Sequence, residues 1–517
     1  MPLRPSPAPP RGPFGSPRPR LFPSLSPQWA AWPLAWATAS VLLLLLKVNT
    51  LRDPYWWDAI GCYFAEAWQL AFNLKAYLAS HPEYVRAPLL CAVLALTMKY
   101  VSTAPWLLHG IAVVVTALAL PAAYALVRQL GGPSRLGLLA AALVLVTPLY
   151  FAQAGLIQMD VPAASLVAVA WLCALRGRVL GYVLLGSLAV LTKESGYFLC
   201  LPTTVLWWAR LVRVEHRRPL APGTLIRVFP AGLPGVTLAL WLVVHQKITG
   251  HVMSSDHTVL LGSLGSTAGG FLHNFIEGGR WLMTIPALYF LRRIWRLRDD
   301  EAAAPSLSHY DRLGVLATGL VWLVLPLCFP ASLPRYMALS LPALAALAAL
   351  GLGQLAQPRQ AGVATFVVLA LLFQWRGDSW HENKQHHLDV NLSYREMNAI
   401  DKKVAEALSA AGARAVLTEF PFVDVLGSPP EAGYLDRAIA AHRVSPRPDR
   451  AEVCAHDYFI EMDSTPPETV AAVRAHAELE PFKSFTPPTA GRGLLTPPWA
   501  RRDLTVRVYR IRCAPTG

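Results

Sequence analysis

The sequence predicts an all-α polytopic membrane protein that ends in a small α/β domain. Three observations carry that prediction. Apolar segments recur with only short gaps as far as residue 375, the pattern of a chain that crosses a bilayer repeatedly. Charged residues make up 15% of the 517, against roughly 25% in soluble domains, and the mean hydropathy is +0.37. Beyond residue 375 the composition turns polar, with helical and strand patterns mixed.

Residues 1–27 are rich in Pro, Ser and Arg and are expected to be disordered. The apolar run Trp29 to Leu46 exceeds a signal-peptide core of about 7–15 residues, and no small-residue cleavage site follows it. It reads as a retained first helix, 29–46, with the Arg-bearing tail in the cytosol. A long outer loop, 48–104, follows. Its apolar stretch Ala87 to Met98 is too short to span ~30 Å and is expected to lie flat or re-entrant at the interface. The next spans are 105–127, 136–151, 161–175, 179–192, 196–209 and 224–245. A polar loop, 246–274, leads to a span that returns to Arg292, then to 313–332, a tenth span and 361–375.

Every expected inner loop carries Arg, and the richest carry four, as at Arg210, Arg213, Arg217 and Arg218. The count is about eleven spans. This distribution accounts for the formal charge of +14, so no nucleic-acid partner is expected. It places Asp53, Asp58, Asp160, Lys193, Glu194, Arg335 and the polar tail on one outer side. The chain divides into the tail 1–27, a membrane domain 28–375 and an extracytoplasmic α/β domain 376–517. In the last, Tyr394 to Ala411 is an amphipathic helix ending at Gly412. Ala415 to Leu417, Tyr458 to Ile460 and Leu504 to Ile511 are strands, and Glu468 to His476 is a helix. No nucleotide loop, GxGxxG or nucleophile elbow occurs, and no internal repeat is evident.

Seven cysteines are scattered without CxxC or Cys/His spacing. Cys454 and Cys513 can pair if the tail faces an oxidising space. His381, His386, His387 and Asp389 cluster after the last span without matching a metal motif. Asn391-Leu392-Ser393 fits the N-glycosylation pattern, which matters only in a eukaryotic secretory setting.

Carboxylates near a bilayer are costly, so the lone acids carry the argument about chemistry. Asp58 lies in Asp53-Pro54-Tyr55-Trp56-Trp57-Asp58, with Tyr63 downstream. Apolar surroundings raise a carboxylate's proton affinity and make it a usable base; a helix cap at the membrane surface is the structural alternative. Asp53, before Pro54, is the better turn residue and the fallback base. Asp160, ahead of Pro162, suits either a helix cap or a site. Lys193-Glu194 interrupts an apolar hairpin, either as a neutralising pair or as a lysine aimed at an anion with Glu194 positioning it. Arg335 stands between apolar helices, either snorkelling or offering its planar fork to phosphate. His81, in His81-Pro82-Glu83-Tyr84, forms a simple turn or lines the site.

Taken together these residues resemble a C-type (GT-C) membrane glycosyltransferase. The similar groups are the dolichyl-phosphate-mannose protein mannosyltransferases, the bacterial lipid A aminoarabinose transferase and the lipopolysaccharide galacturonosyltransferases. The resemblance covers about residues 29–375. It rests on Asp58 with Tyr63, on His81-Pro82, on Met159-Asp160-Val161-Pro162, on Leu-Thr-Lys-Glu-Ser-Gly at 191–196, and on Arg335-Tyr336 with Pro342. Many relatives have Asp-Glu where Ala59 follows Asp58 here, and His-Pro-Pro where Glu83 follows Pro82.

The resemblance implies an inverting enzyme that moves a monosaccharide from a polyprenyl-phosphate donor to a hydroxyl of a cell-envelope glycolipid, glycan or protein. It makes Asp58 and Asp160 catalytic, and Lys193, Glu194, Arg335, Tyr336, His81 and Tyr63 substrate-binding. No metal ligand is assigned, and a divalent metal cofactor is left open. The expected setting is the bacterial cytoplasmic membrane. The rival readings are a transporter or flippase of lipid-linked sugars and a non-enzymatic membrane assembly protein.

Overall fold

The computed structural model describes residues 27–56, 59–75, 87–250, 279–296, 310–328, 334–376, 392, 394–488 and 504–514. Asp58, His81, the cluster 381–389, the sequon residues Asn391 and Ser393, and the tail 1–26 lie outside them.

The fold is a helical membrane bundle with a small C-terminal sheet domain. The first helix, Pro27–Lys47, ends on the only basic residue of its apolar run. Among the described residues, each span expected from the charge alternation coincides with a helix or a broken pair of helices. Val179–Thr192 matches to the residue. The second span is Pro105–Thr116 continued by Ala119–Gln129, and the third is Ser134–Val146 continued by Pro148–Gln153. Proline opens the second segment of the third span, where its missing N–H costs nothing.

Among the described residues, three helices are long and apolar enough to cross a membrane by length and composition: Pro105–Gln129, Pro222–Ile248 and Arg335–Leu352. The others are shorter apolar helices, including Pro88–Tyr100, the stretch expected to lie flat or re-entrant. That helix buries Leu90, Cys91, Leu94, Ala95 and Met98 and packs on the outer-loop helix Ala65–Phe72.

Asp160–Leu175 is the axis of the bundle, with every residue buried. Leu341–Leu352 is likewise buried throughout and packs against Trp281–Arg296. At Gly351 a Cβ would collide with the carbonyl oxygen of Pro286, so only glycine admits that backbone approach.

The sheet has the order β2-β1-β3-β5-β4: β1 Ala415–Thr418, β2 Ala440–Arg443, β3 Tyr458–Glu461, β4 Glu478–Phe485 and β5 Val506–Arg512. β1 pairs in parallel with β2 and β3, while β5 runs antiparallel to β3 and β4. Tyr394–Ala410 packs over it and stops where Gly412 turns left-handed at φ 70°. Cys454 and Cys513 are joined in a disulfide that ties the last strand's end to the short helix Arg450–Cys454.

The hydrophobic core of the tail is continuous with that of the first outer loop. Tyr55, Trp56, Ala59, Ile60, Tyr63 and Phe64 share one buried cluster with Met397, Val404, Phe422, Ile460 and Val508. The tail is therefore fastened to the loop that carries Asp58.

Candidate active site

Asp160 is the first helical residue of its helix and is 1% exposed. Met159 holds the cap position without a side-chain bond, so Asp160 is not serving as the cap. Its carboxylate lies in the first turn, where the helix dipole favours negative charge.

Lys193 reaches it from another segment. It ends Val179–Thr192 in an extended conformation (φ −153°, ψ 130°), and its Nζ forms a hydrogen-bonded ion pair with Asp160 Oδ1. The chain then folds into a tight 3₁₀ turn, Glu194–Leu199. Gly196 permits this, since a Cβ there would lie 3.0 Å from the backbone of Ala189 and Val190.

Arg335 arrives from a third segment, the 3₁₀ turn Pro334–Ser340. Its side chain is 7% exposed, and Nε lies 3.9 Å from Asp160 Oδ2. The Tyr336 ring supports both cations: Lys193 Nζ is 3.9 Å and Arg335 Cζ 5.9 Å from its centroid. Four expected residues thus converge. Two cations, Lys193 and Arg335, meet the Asp160 carboxylate in a site almost closed to water. Charges in such a place cost several kcal/mol each unless compensated, and here one carboxylate is shared by both cations.

A narrow cleft opens beside it. Val167, Phe198, Leu199, Pro202, Val321 and Leu339 wall it, with Ser195, Gly196 and Ser340 completing the lining.

Glu194 does something else. Its Oε1 accepts the backbone N–H of Ala87 at 2.7 Å, at the entrance of the helix Pro88–Tyr100. The carboxylate supplies an acceptor to a helix start that carries none of its own, and pins the end of the outer loop to the Lys193 turn. His81 is six residues before that anchor in the sequence. Tyr63, 2% exposed, is in the outer-loop core, within the π-helical turn Ala59–Phe64.

Asp53 is paired with the tail: Arg395 Nε donates to its Oδ2 at 3.0 Å, while Arg395 Nη2 donates to the carbonyl of Asn49 at 3.1 Å. Asn398 Nδ2 donates to the Pro54 carbonyl at 2.9 Å, and the Tyr434 hydroxyl lies 2.7 Å from the Tyr55 carbonyl and 2.6 Å from Asn398 Oδ1. On the far side of Asp58, a Cβ at Gly61 would lie 2.8 Å from Phe420 and 2.9 Å from Asp424. The tail grips the loop on both flanks of Asp58. Met159 and Ile157, just ahead of Asp160, belong to the same core as those flanks.

Sequence reasoning missed a set of buried polar anchors behind Asp160. Lys47, 0% exposed, donates to the carbonyl of Ala152 at 3.4 Å and lies 4.1 Å from the Phe151 ring centroid. Thr116 Oγ1 lies 2.9 Å from the carbonyl of Val113 and 3.3 Å from that of Ala154, and His109 Nδ1 lies 2.6 Å from that of Gly155. A carbonyl only accepts, so this ring nitrogen carries the proton. The available signal was a lysine closing an otherwise apolar helix.

Among the described residues no group of three or more His, Cys, Asp and Glu side chains is gathered to hold a metal.

No protein-family model matches the chain, and no curated protein matches it by sequence. Solved structures do. ArnT from Cupriavidus metallidurans in the apo state aligns over 93% of this chain and 98% of its own, with a TM-score of 0.54 at 13% identity. The same protein bound to undecaprenyl phosphate aligns over the same shares at 13% identity, with a TM-score of 0.49. The chain has the ArnT fold. That match covers the membrane bundle together with the C-terminal domain, so the ArnT-like fold describes nearly the whole chain.

Proposed function

We propose that this ArnT-fold protein is an inverting glycosyltransferase that takes a monosaccharide from a polyprenyl-phosphate donor. The observation that carries the reading is the convergence of Lys193 and Arg335 on a single buried carboxylate, beside an apolar cleft. A lysine and an arginine held side by side are the groups that would take a lipid phosphate. The crystallised ArnT described as bound to undecaprenyl phosphate is a protein of this fold.

In the proposed reaction Lys193 and Arg335 hold the donor phosphate, with Asp160 keeping the two cations together. An acceptor hydroxyl attacks the anomeric carbon from the face opposite the phosphate. The new bond joins acceptor oxygen to that carbon; the bond from the carbon to the phosphate oxygen breaks. The electron pair leaves with the polyprenyl phosphate, whose charge the cations stabilise. The acceptor proton passes to Asp58. Tyr336, Tyr63, His81 and Glu194 line or brace the site. The acceptor is a hydroxyl of a cell-envelope glycolipid, glycan or protein.

The proposed setting is the bacterial cytoplasmic membrane, with residues 28–375 as the membrane domain and 376–517 as the domain outside the cytoplasm. The Arg-bearing inner loops and the Cys454–Cys513 disulfide support this orientation. The test is mass spectrometry of envelope glycolipids and glycoproteins from cells with the wild type, with Asp58→Asn, and without the protein. Loss of a general base costs about 10²–10⁴-fold in rate, so the variant should be produced normally and leave the product absent. Transfer at near-normal rate in Asp58→Asn would refute the assignment of the base.

A further inference from the structure

We propose that His109 is a positioning residue for the candidate site: it fixes the buried segment that delivers Asp160 and holds that segment against the outer loop. The consequence for glycosyl transfer rests on the function proposed above; the positioning itself does not.

The chain leaves the short helix Pro148–Gln153 and re-enters a helix only at Asp160, yet residues 151–160 are all buried. Backbone outside a helical ladder and away from water must find a donor for each carbonyl. From Ala152 to Leu156 every one is taken. Two are met locally: the Leu156 N–H donates to the Gln153 carbonyl at 3.0 Å, and the Gln158 N–H to that of Leu156 at 2.9 Å. The other three are met by side chains of other helices. Lys47 Nζ donates to Ala152 at 3.4 Å, and the Thr116 hydroxyl, shared with Val113, lies 3.3 Å from the carbonyl of Ala154. His109 Nδ1 donates to Gly155 at 2.6 Å.

Of these three holds, that of His109 is the shortest and the nearest to Asp160, five residues before it. The ring also packs on the outer loop, with the Tyr55 ring 5.1 Å away between centroids. The Tyr55 carbonyl is held in turn by the Tyr434 hydroxyl of the tail. One side chain thus touches both the segment that ends in Asp160 and the loop that continues to Asp58. Lys193 and Arg335 share the Asp160 carboxylate, so a shift of the segment moves the group that holds both cations. A displacement of about 1 Å in such a place can cost on the order of 10²-fold in rate. Filling the core needs only a side chain of the right size; holding Gly155 needs a donor at the Nδ1 position.

The experiment uses variants that separate volume from hydrogen bonding. His109→Asn is small but carries an N–H donor where Nδ1 stands, so it still reaches Gly155. His109→Leu fills more of the space and donates nothing. His109→Gln carries its amide nitrogen at the Nε2 position instead, and is the polar comparison should His109→Leu fail to fold. Each full-length protein is followed by hydrogen–deuterium exchange mass spectrometry of peptides spanning 152–162. Each is also expressed in cells lacking the native protein, and envelope product is measured by mass spectrometry. His109→Leu and His109→Gln should exchange faster across 154–160 and form product about 10²-fold more slowly. His109→Asn should stay close to wild type in both, even where its unfolding temperature falls. Core filling alone predicts the reverse order, with His109→Asn the most impaired. That reverse order, unchanged exchange in His109→Leu and His109→Gln, or faster exchange with transfer intact would each overturn the proposal. If wild-type cells make no product that deletion cells lack, the glycosyltransferase reading fails, and exchange at 152–162 alone decides the positioning.

Discussion

Two Asp-to-cation pairs, Lys193–Asp160 and Arg395–Asp53, stand in contrasting surroundings. At the mouth of the bundle, Lys193 and Asp160 are 13% and 1% exposed, and Arg335 adds a second cation. At the seam between loop and tail, Arg395 and Asp53 are 40% and 28% exposed and pair one to one. Water screens the second pair, and an exposed pair contributes about 0–1 kcal/mol. The first is shielded from water, and two cations share its one carboxylate. Burial and stoichiometry, not the presence of an ion pair, separate a candidate site from a fastening.

The largest effect should come from Asp160→Asn, which leaves two shielded cations facing each other. Breaking a buried pair this way costs about 3–5 kcal/mol, to be read from thermal unfolding in detergent. A loss below that of the seam variants would make the two pairs equivalent and end the comparison.

Tyr434→Phe comes next. It strips a partner from the Tyr55 carbonyl and from Asn398 in a buried seam, a loss of about 1–3 kcal/mol. The outer loop should then become more accessible to protease while the bundle is unaffected.

Asp401 sharpens the contrast within the tail, because it is buried without the cation that Asp160 enjoys. It is 2% exposed, and its Oδ2 finds no hydrogen-bond partner among the described residues. Burial pushes its pKa well above the ordinary carboxylate value of 3.8. The folded state therefore holds its proton where the unfolded state has lost it. Its favourable contribution is complete below the unfolded pKa and is lost as pH rises through the folded one. Asp401→Asn should raise the unfolding temperature at pH 7 and leave it nearly unchanged at about pH 3, below the unfolded value. A gain of the same size at both pH values would contradict this.

The smallest effect belongs to Arg395→Met: about 0–1 kcal/mol, shrinking as salt is added. The proposed glycosyl transfer should survive it. Loss of transfer would restore Asp53 to the chemistry.

Much of this was open to reading along the chain. Apolar run length and alternating arginines mark the spans, because both are local consequences of crossing a bilayer. Val179–Thr192 and Tyr394–Ala410 follow their sequence patterns closely. Two strands did not announce themselves. β2, Ala440–Arg443, is a mostly exposed edge without apolar alternation, and β4, Glu478–Phe485, carries Pro481 and an irregular register, which a propensity reading rejects. At the site, residue types and sidedness singled out Asp160, Lys193, Arg335 and Tyr336, while Lys47, His109 and Thr116 passed unnoticed.

Hydropathy and charge order are one-dimensional properties, so the amino-acid order alone settled a membrane bundle, its helix sequence and the polar C-terminal tail. Partnership is three-dimensional. Glu194 finding Ala87, Arg395 finding Asp53, and one carboxylate holding two cations each join segments distant along the chain. Such pairings leave no local trace, because their stability comes from desolvation and packing that exist only after the chain has folded.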